Sequence, residues 1–229
     1  MQYGNVMLIR FFDILFSLLA IIALFPFMLI VMIVLKLTGE HCVFYKQPRV
    51  GRDGKIFYVL KFVTMLKNSE NMPGGVLTQK NDPRVLPFGK FLRKTKINEL
   101  PQLINILVGE MSIIGPRPQA KRHYDLYAQH VKDAINQIPP GLSGIGSVVF
   151  RNEEGLLDNV GGDRDAFHDT VIAPYKGELE VWFSQHRNLK NYFKLIWLTV
   201  KVVINDKNSG WYTAFKDLPA IPPNLAGLI

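Results

Sequence analysis

The sequence predicts an α+β fold: a compact, membrane-associated domain with an N-terminal re-entrant membrane helix hairpin broken at Pro26, and with interfacial amphipathic helices. Three observations predict it. Ile14–Leu35 is a run of 22 residues without a charge. Short stretches with strand-like patterning and glycine-containing turns follow it. The C-terminal part then reads as long helix, with apolar residues on one face and lysines on another. On this reading residues 1–38 form the re-entrant helix, and 39–229 form a cytoplasmic domain that ends in amphipathic helices.

Composition sets the boundaries. The 229 residues carry a formal net charge of +8, which points to an anionic partner: nucleic acid, phospholipid headgroups or a phosphorylated substrate. A single cysteine, Cys42, excludes an internal disulfide and suits a reducing compartment; by itself it reads as a small buried hydrophobe. Mean hydropathy is positive, +0.11, despite the many lysines and arginines. The apolar content must therefore be concentrated, and it is concentrated in "ILFSLLAIIALFPFMLIVMIVL".

At about 1.5 Å per residue that run covers roughly 33 Å, enough to cross a bilayer core of roughly 30 Å. It is too long for the apolar region of a signal peptide, and no small-residue cleavage site follows. Pro26, near its midpoint, cannot donate to the carbonyl of Ile22, so a kink or break is expected there. Arg10 precedes the run, and Lys36, Lys46, Arg49 and Arg52 follow it. Cations on both flanks favour keeping both on the cytoplasmic side, which a hairpin satisfies. A single span with the N-terminus outside is the alternative.

Further along, Val43–Lys46 and Ile56–Phe62 read as strands joined by a turn with Gly51 and Asp53-Gly54. Residues 67–84 read as a loop, Gly89–Lys96 and Glu99–Val108 as helices, and Lys121–Gln137 as a solvated helix. "IPPGLSGIGSVVFRNEEG" reads as a turn and then a strand, with Arg151 at its end. Helical patterning runs through Tyr175–Ile204, with Leu189, Phe193, Ile196, Val200 and Val203 on one face. Trp182, Tyr192 and Trp197 add aromatic bulk suited to a membrane interface. Asp158, Asp163, Asp165, His168 and Asp169 read as a solvated loop.

The chemistry concentrates in "LRKTKINELPQL". Asn98 reads as a helix N-cap, Glu99 as the first helical residue and Pro101 as part of the first turn. Arg93, Lys94 and Lys96 lead into that helix start, where free amides attract phosphate. Arg117 lies between two prolines in "IIGPRPQ", on a backbone too stiff to lose much freedom on binding. Lys61 projects from a strand. Together these residues point to a phosphate-rich substrate handled beside a membrane. No nucleic-acid module is recognisable, so no nucleic acid is expected as a partner.

Four stretches, "RFFDILFSLLAIIALFPFMLIVMIVLKLT", "VFYKQPRVGRDGKIFYVLKFVTM", "NDPRVLPFGKFLRKTKINELPQLINILVGEMSIIGPRP" and "PPGLSGIGSVVF", closely resemble the bacterial sugar transferases, the monotopic phosphoglycosyl transferases. The resemblance implies an enzyme on the cytoplasmic face of a bacterial inner membrane, with 39–229 as its catalytic part. Such enzymes transfer a sugar-1-phosphate from a UDP-sugar donor to polyprenol phosphate, such as undecaprenyl phosphate, and release UMP, beginning polysaccharide or glycoconjugate synthesis. The family works in two steps through a phosphosugar-enzyme intermediate formed on the aspartate of an Asp-Glu dyad. Carried onto this chain, Asn98 and Glu99 are the catalytic positions, and Glu99 helps to hold Mg²⁺. Arg93 and Arg117, with Lys61 and Arg151, fall at the phosphate and nucleotide site. Membrane lipids are implied partners, and a homo-oligomer and downstream glycosyltransferases are compatible ones.

Asn98 departs from the pattern, because an aspartate stands at that place in the family. As a cap, asparagine serves about as well; as a nucleophile it does not. Three readings stand: an engineered replacement that leaves binding intact, a natural route using Glu99 or direct lipid attack, or a silent relative that binds UDP-sugar and membrane as a scaffold. Val63, where the family usually has Arg or Lys, is a second departure.

Overall fold

A computed structural model describes residues 2–72, 82–158, 162–204, 210–215 and 217–229. Part of the 67–84 loop thus lies outside the described residues. The fold is mixed helix and strand, organised along one long helix. Helix α1, Gln2–Leu37, runs as 36 residues with Pro26 inside it. The break expected at Pro26 is not there: the helix continues through the proline. Losing one donor is tolerable where the flanking turns are held by packing, and here both limbs are held.

One side of α1 is core along its whole length. Ile9, Phe12 and Phe16 pack into the main cluster with Leu179, Tyr192 and Leu195. Ala20, Ile21 and Leu24 lie against Val59, Leu103 and Ile106. Met28, Val31 and Leu35 close on Phe62 and Leu92. The other side carries exposed apolar residues, among them Met7, Phe11, Ile22, Ile30 and Leu37. By length and composition the helix is able to cross a membrane.

Polar anchors fix its position. Asp13, 2% exposed, accepts from the backbone N–H of Ile113 at 2.9 Å and from the Tyr192 hydroxyl at 2.9 Å. Arg10 donates to the carbonyls of Ile106 (2.6 Å) and Leu107 (2.9 Å). A cation thereby satisfies the carbonyls at the end of α3, Gln102–Val108, where the helix dipole favours one.

Strands β1, Phe44–Val50, and β2, Ile56–Phe62, form an antiparallel hairpin in which Arg49 pairs with Phe57 and Tyr45 with Lys61. β1 extends four residues beyond the expected Lys46; Pro48 is accommodated on this two-stranded ribbon, where an edge demands no donor. Asn105 of α3 bonds the hairpin's edge, donating to the Tyr58 carbonyl and accepting from the Leu60 N–H, both at 2.9 Å. Helix α2, Pro87–Lys94, meets the chain after β2 at Gly89. A Cβ there would lie 2.2 Å from the Thr64 carbonyl oxygen, so only glycine permits the approach.

A second, parallel pair joins β3, Ser112–Ile114, to β4, Gly141–Ser143. The expected strand at Val148 is instead helix α6, Ile145–Val149: four of its five residues are buried on all sides, which blurs any period. The single helix expected over Lys121–Gln137 is two, α4 (Lys121–Leu126) and α5 (Gln129–Asn136). After α7, Glu153–Asp158, α8, Arg164–Phe167, runs through a π-helical turn, His168–Ile172, into α9, Ala173–Gln185. α10 is Leu189–Ile204, and a short α11, Gly210–Ala214, follows. The expected single helix Tyr175–Ile204 is thus interrupted between α9 and α10, where the Asn188 carboxamide bonds His186 and Asn191.

On α10 the buried side is Tyr192, Leu195, Leu198 and Val202. Trp182 and Tyr192, expected at an interface, are core residues, while Trp197, Val200, Val203 and Ile204 are exposed. Cys42, expected to be buried, is exposed.

Asp13→Ala should leave the Ile113 N–H and the Tyr192 hydroxyl without their partner. The expected loss is about 1–3 kcal/mol, read as a fall of several degrees in Tm of the purified protein in detergent.

Candidate functional site

The residues singled out in the sequence converge from three elements. Directly paired residues of an antiparallel ribbon project to the same face, so Tyr45, Gln47, Arg49, Phe57, Val59 and Lys61 share one face of the hairpin. That face is the more covered one on β1. Against it lies the turn that follows α2, a short 3₁₀ segment, Ile97–Glu99. Lys96 enters this turn with φ +60° and ψ +12°, a left-handed conformation that is unfavourable for a lysine. The third element is Gly115-Pro116-Arg117-Pro118, directly after β3. Its end is tied to β1 by the Val50 N–H, which donates to the Gln119 carbonyl at 2.9 Å.

Asn98 is not the cap that its spacing suggests. It lies inside the 3₁₀ turn, and α3 starts later, at Gln102, with Pro101 ahead of it and no side-chain cap. The amide is buried and its Oδ1 has no hydrogen-bond partner. Nor is the helix start the anion site. The Glu99 and Leu100 amides are used within the turn, donating to the Lys96 and Ile97 carbonyls. Anion attraction here comes from side chains.

Those side chains surround one carboxylate. Oε1 of Glu99 lies 3.2 Å from Arg117 Nη2 and 3.9 Å from Lys61 Nζ. Burial would raise the Glu99 carboxyl, but Arg117, Lys61 and Lys96 overcome it and hold the pKa near 2. Lys61 is pulled down to about 7: burial is the main cause, and Arg117, Arg49 and Arg93 add repulsion against the attraction of Glu99. Arg49 is lowered to about 10 by burial and by Arg117, with Glu99 opposing. Arg93, at the end of α2, places Nη1 3.9 Å from Met65 Sδ. Arg151 lies in the turn after α6 and has no hydrogen bond or ion pair to this cluster among the described residues.

Arg49 is the residue that motif reading passed over, although counting pairs outward from the Gly51–Gly54 turn puts it on the Lys61 face. Glu153 is another. It attracts Arg117 electrostatically, donates nothing, and accepts from Lys176 at 2.6 Å. His168 and Asp169, expected in a solvated loop, belong to the π-turn; His168 is buried and bonds Asp169 through Nδ1 at 2.8 Å.

Glu180 of α9 supports the Arg117 segment from below. It is 4% exposed, and its Oε2 has no hydrogen-bond partner. A Cβ on Gly146 would approach its Oε1 to 2.7 Å, so a larger residue on α6 would displace the carboxylate. Burial pushes the carboxyl up to about 8, against the backbone N–H groups of Arg117 and Gly146 and the Lys176 ammonium. Between the ordinary value of 4.5 and about 8 the unfolded chain gives up this proton and the folded chain keeps it. Stability from this group is therefore complete below pH 4.5 and is lost as pH rises through 8. Glu180→Gln should abolish that slope: little change in Tm at pH 5, and a Tm a few degrees above the parent at pH 8.5, followed by thermal melts across pH.

The sequence pattern of the family described as bacterial sugar transferase matches residues 4–206. Among known proteins, the chain is 34% identical over 199 residues to a UDP-glucose:undecaprenyl-phosphate glucose-1-phosphate transferase of Escherichia coli, covering 86% of this chain and 40% of that protein. It is 32% identical to an undecaprenyl-phosphate galactose phosphotransferase of Salmonella typhimurium, over 85% of this chain and 40% of that one. With the exopolysaccharide production protein ExoY of Sinorhizobium fredii it shares 38% identity, over 67% of this chain and 74% of that protein. The chain thus spans less than half the length of the first two relatives. A family pattern that covers nearly the whole chain, from α1 to the end of α10, makes it a member of the bacterial sugar transferase family.

Proposed function

We propose that the chain transfers a sugar-1-phosphate from a UDP-sugar to polyprenyl phosphate, with release of UMP, at the cytoplasmic face of a bacterial inner membrane. The observation that carries this reading is the convergence of Arg49, Lys61, Lys96 and Arg117 on the carboxylate of Glu99, with Arg93 beside Lys61. That excess of positive charge suits a diphosphate. The relatives' names supply the donor and acceptor classes.

The placement follows from α1. Its first and last thirds pack against the same body. A perpendicular span would carry one end about 30 Å away, across the bilayer. A helix embedded along one leaflet, with the body on the cytoplasmic side, keeps both contacts. The exposed apolar sides of α1 and α10 then face lipid, with Trp197 at the interface. Residues 1–38 are the membrane element on this reading, and 39–229 carry the chemistry.

Arg117 presents a planar fork to the diphosphate, on a backbone restrained by two prolines. Arg49 and Arg93 share the remaining charge, and Lys61 stands where charge grows on the leaving oxygen. The residues suit Mg²⁺: Glu99 and the unpartnered Oδ1 of Asn98 are hard oxygen donors, and substrate phosphates usually complete such a site. When bound, the ion would offset charge on the diphosphate. An amide at position 98 has no charge with which to attack phosphorus, and Glu99 has Oε1 held by Arg117 and Lys61 and its other oxygen left for the ion. The step that fits is direct displacement. An oxygen of polyprenyl phosphate bonds to the β-phosphorus as the bond to the bridging oxygen breaks, and UMP leaves with the electron pair.

A second reading, a silent relative that binds and does not turn over, draws on Asn98 and Val63. One experiment separates them: UMP release from a panel of UDP-sugars with polyprenyl phosphate, and exchange of labelled UMP into UDP-sugar without acceptor. Direct displacement predicts release without exchange, a loss of about 100-fold or more in Arg117→Ala, and new exchange in Asn98→Asp. Exchange by the unaltered chain would mean a covalent intermediate on Glu99. Thermal stabilisation by UDP-sugar with no release from either form would establish the silent reading.

A further inference from the structure

Beside the cationic cluster lies a group of side chains that the proposed reaction does not use. His123 is on α4, six residues after Arg117, and His168 and Asp169 are on the π-turn between α8 and α9. One ligand atom from each of the three lies within 4.8 Å of the other two. The imidazole rings stand 4.7 Å apart between centroids, tilted by 43°. His123 and His168 are only 8% and 5% exposed.

Two features point to a ligand. Neither ring nitrogen of His123 is engaged in a hydrogen bond among the described residues, which leaves the ring available as a ligand. His168 is oriented on both sides: Nδ1 lies 2.8 Å from Asp169 Oδ1, and Nε2 lies 3.6 Å from Glu153 Oε1. The last distance is too long for a hydrogen bond. Asp169 also pairs with Arg122 at 3.4 Å, and Arg122 with Asp165 at 4.0 Å. Lys176 is taken by Glu153. Three carboxylates, Glu153, Asp165 and Asp169, thus face this group, with Arg122 and Lys176 paired to them and Arg49 also acting on His123.

We propose that His123, His168 and Asp169 form a zinc-class metal site that clamps α4 to the π-turn and so braces the chain leading out of Arg117. Two imidazole nitrogens and one carboxylate oxygen are a borderline donor set, which prefers Zn²⁺ to Mg²⁺. Bonds of about 2.1 Å in tetrahedral geometry put ligand atoms about 3.4 Å apart, so closing this set takes ring rotations that move atoms by about 1 Å. Glu153 and Arg122 stay outside, holding His168 and Asp169 in position.

The test uses the full chain in detergent, with Zn²⁺ itself as the probe. His41 and Cys42 are adjacent and exposed, so the parent carries Cys42→Ser to remove that competing thiol. After dialysis against buffered zinc, the parent should retain one zinc per chain, and zinc should raise its Tm by about 3 °C or more. His123→Ala and Asp169→Asn should each weaken zinc affinity at least tenfold and lose the Tm shift. Asp169→Asn keeps the shape of the site and covers the case in which His123→Ala folds poorly. Co²⁺ in place of zinc should give the visible spectrum of nitrogen and oxygen ligation in the parent alone. Zinc retention unaffected by either substitution, or a Tm shift reproduced by Mg²⁺, would overturn the proposal.

Discussion

Crowding like charges around one carboxylate is the constraint on which the site's architecture depends. Arg49, Lys61, Arg93 and Arg117 repel one another, and Glu99 answers only part of that repulsion. Such a group does not gather spontaneously; packing elsewhere has to impose it. The hairpin is pinned by Asn105 along one edge, the Arg117 segment by Val50 and Gln119, and α2 by its glycine contact with Thr64. Each tie lies outside the cluster and commits to it the cations of its element: Arg49 and Lys61 on the hairpin, Arg117 on its segment and Arg93 on α2. The low pKa of Lys61 records the residual strain, since a buried ammonium among guanidinium groups sheds its proton easily.

The second organising element, α1, has two unlike sides. A helix with lipid on every side would have no reason to keep Asp13, Ser17 and Arg10 on one face. Here Asp13 and Ser17 are buried, and Arg10 closes the end of α3. The other face stays apolar and exposed. Polar residues therefore mark the side facing protein, the reverse of a soluble amphipathic helix, and the same inversion explains why so apolar a segment has a defined orientation on the body. α10 continues the surface, with Tyr192 turned inward to Asp13 and Trp197 turned out.

Much of this was legible in the sequence, and the failures share causes. The apolar run, the hairpin with its turn, and the convergence of Lys61, Arg117 and Glu99 were readable because period, turn residues and motif agree. The start of the helix after Lys96 was misread because Asn-Glu-x-Pro fits an N-cap locally, whereas the left-handed Lys96 spends those residues on a 3₁₀ turn first. Trp182 and Tyr192 fit an interface by sequence because aromatic bulk suits both core and interface, and only burial distinguishes them. Arg49 needed strand register, which a single sequence supplies only once the turn is trusted. His123 and Glu180 carry no motif at all. Their signal is a polar residue on the inward side of a helix, and it emerges only when that side is known.

Asn98 is where fold and chemistry separate. As a carboxylate the residue would bring a second negative charge to a cluster in which several basic side chains already share one acid. The amide leaves that cluster one unit more positive and therefore more attractive to a diphosphate in the ground state. Tighter binding of the donor does not by itself speed transfer, since only interactions that strengthen in the transition state do so. A chain with asparagine here gains hold on its substrate while losing an attacking group. On the proposed reaction its chemistry comes from the acceptor, whose phosphate is itself an anionic oxygen nucleophile, and the same excess of cations serves to bring that second anion close to the first. On that reading, bringing two anions together against their repulsion is the task of this arrangement of charges, with or without a covalent intermediate.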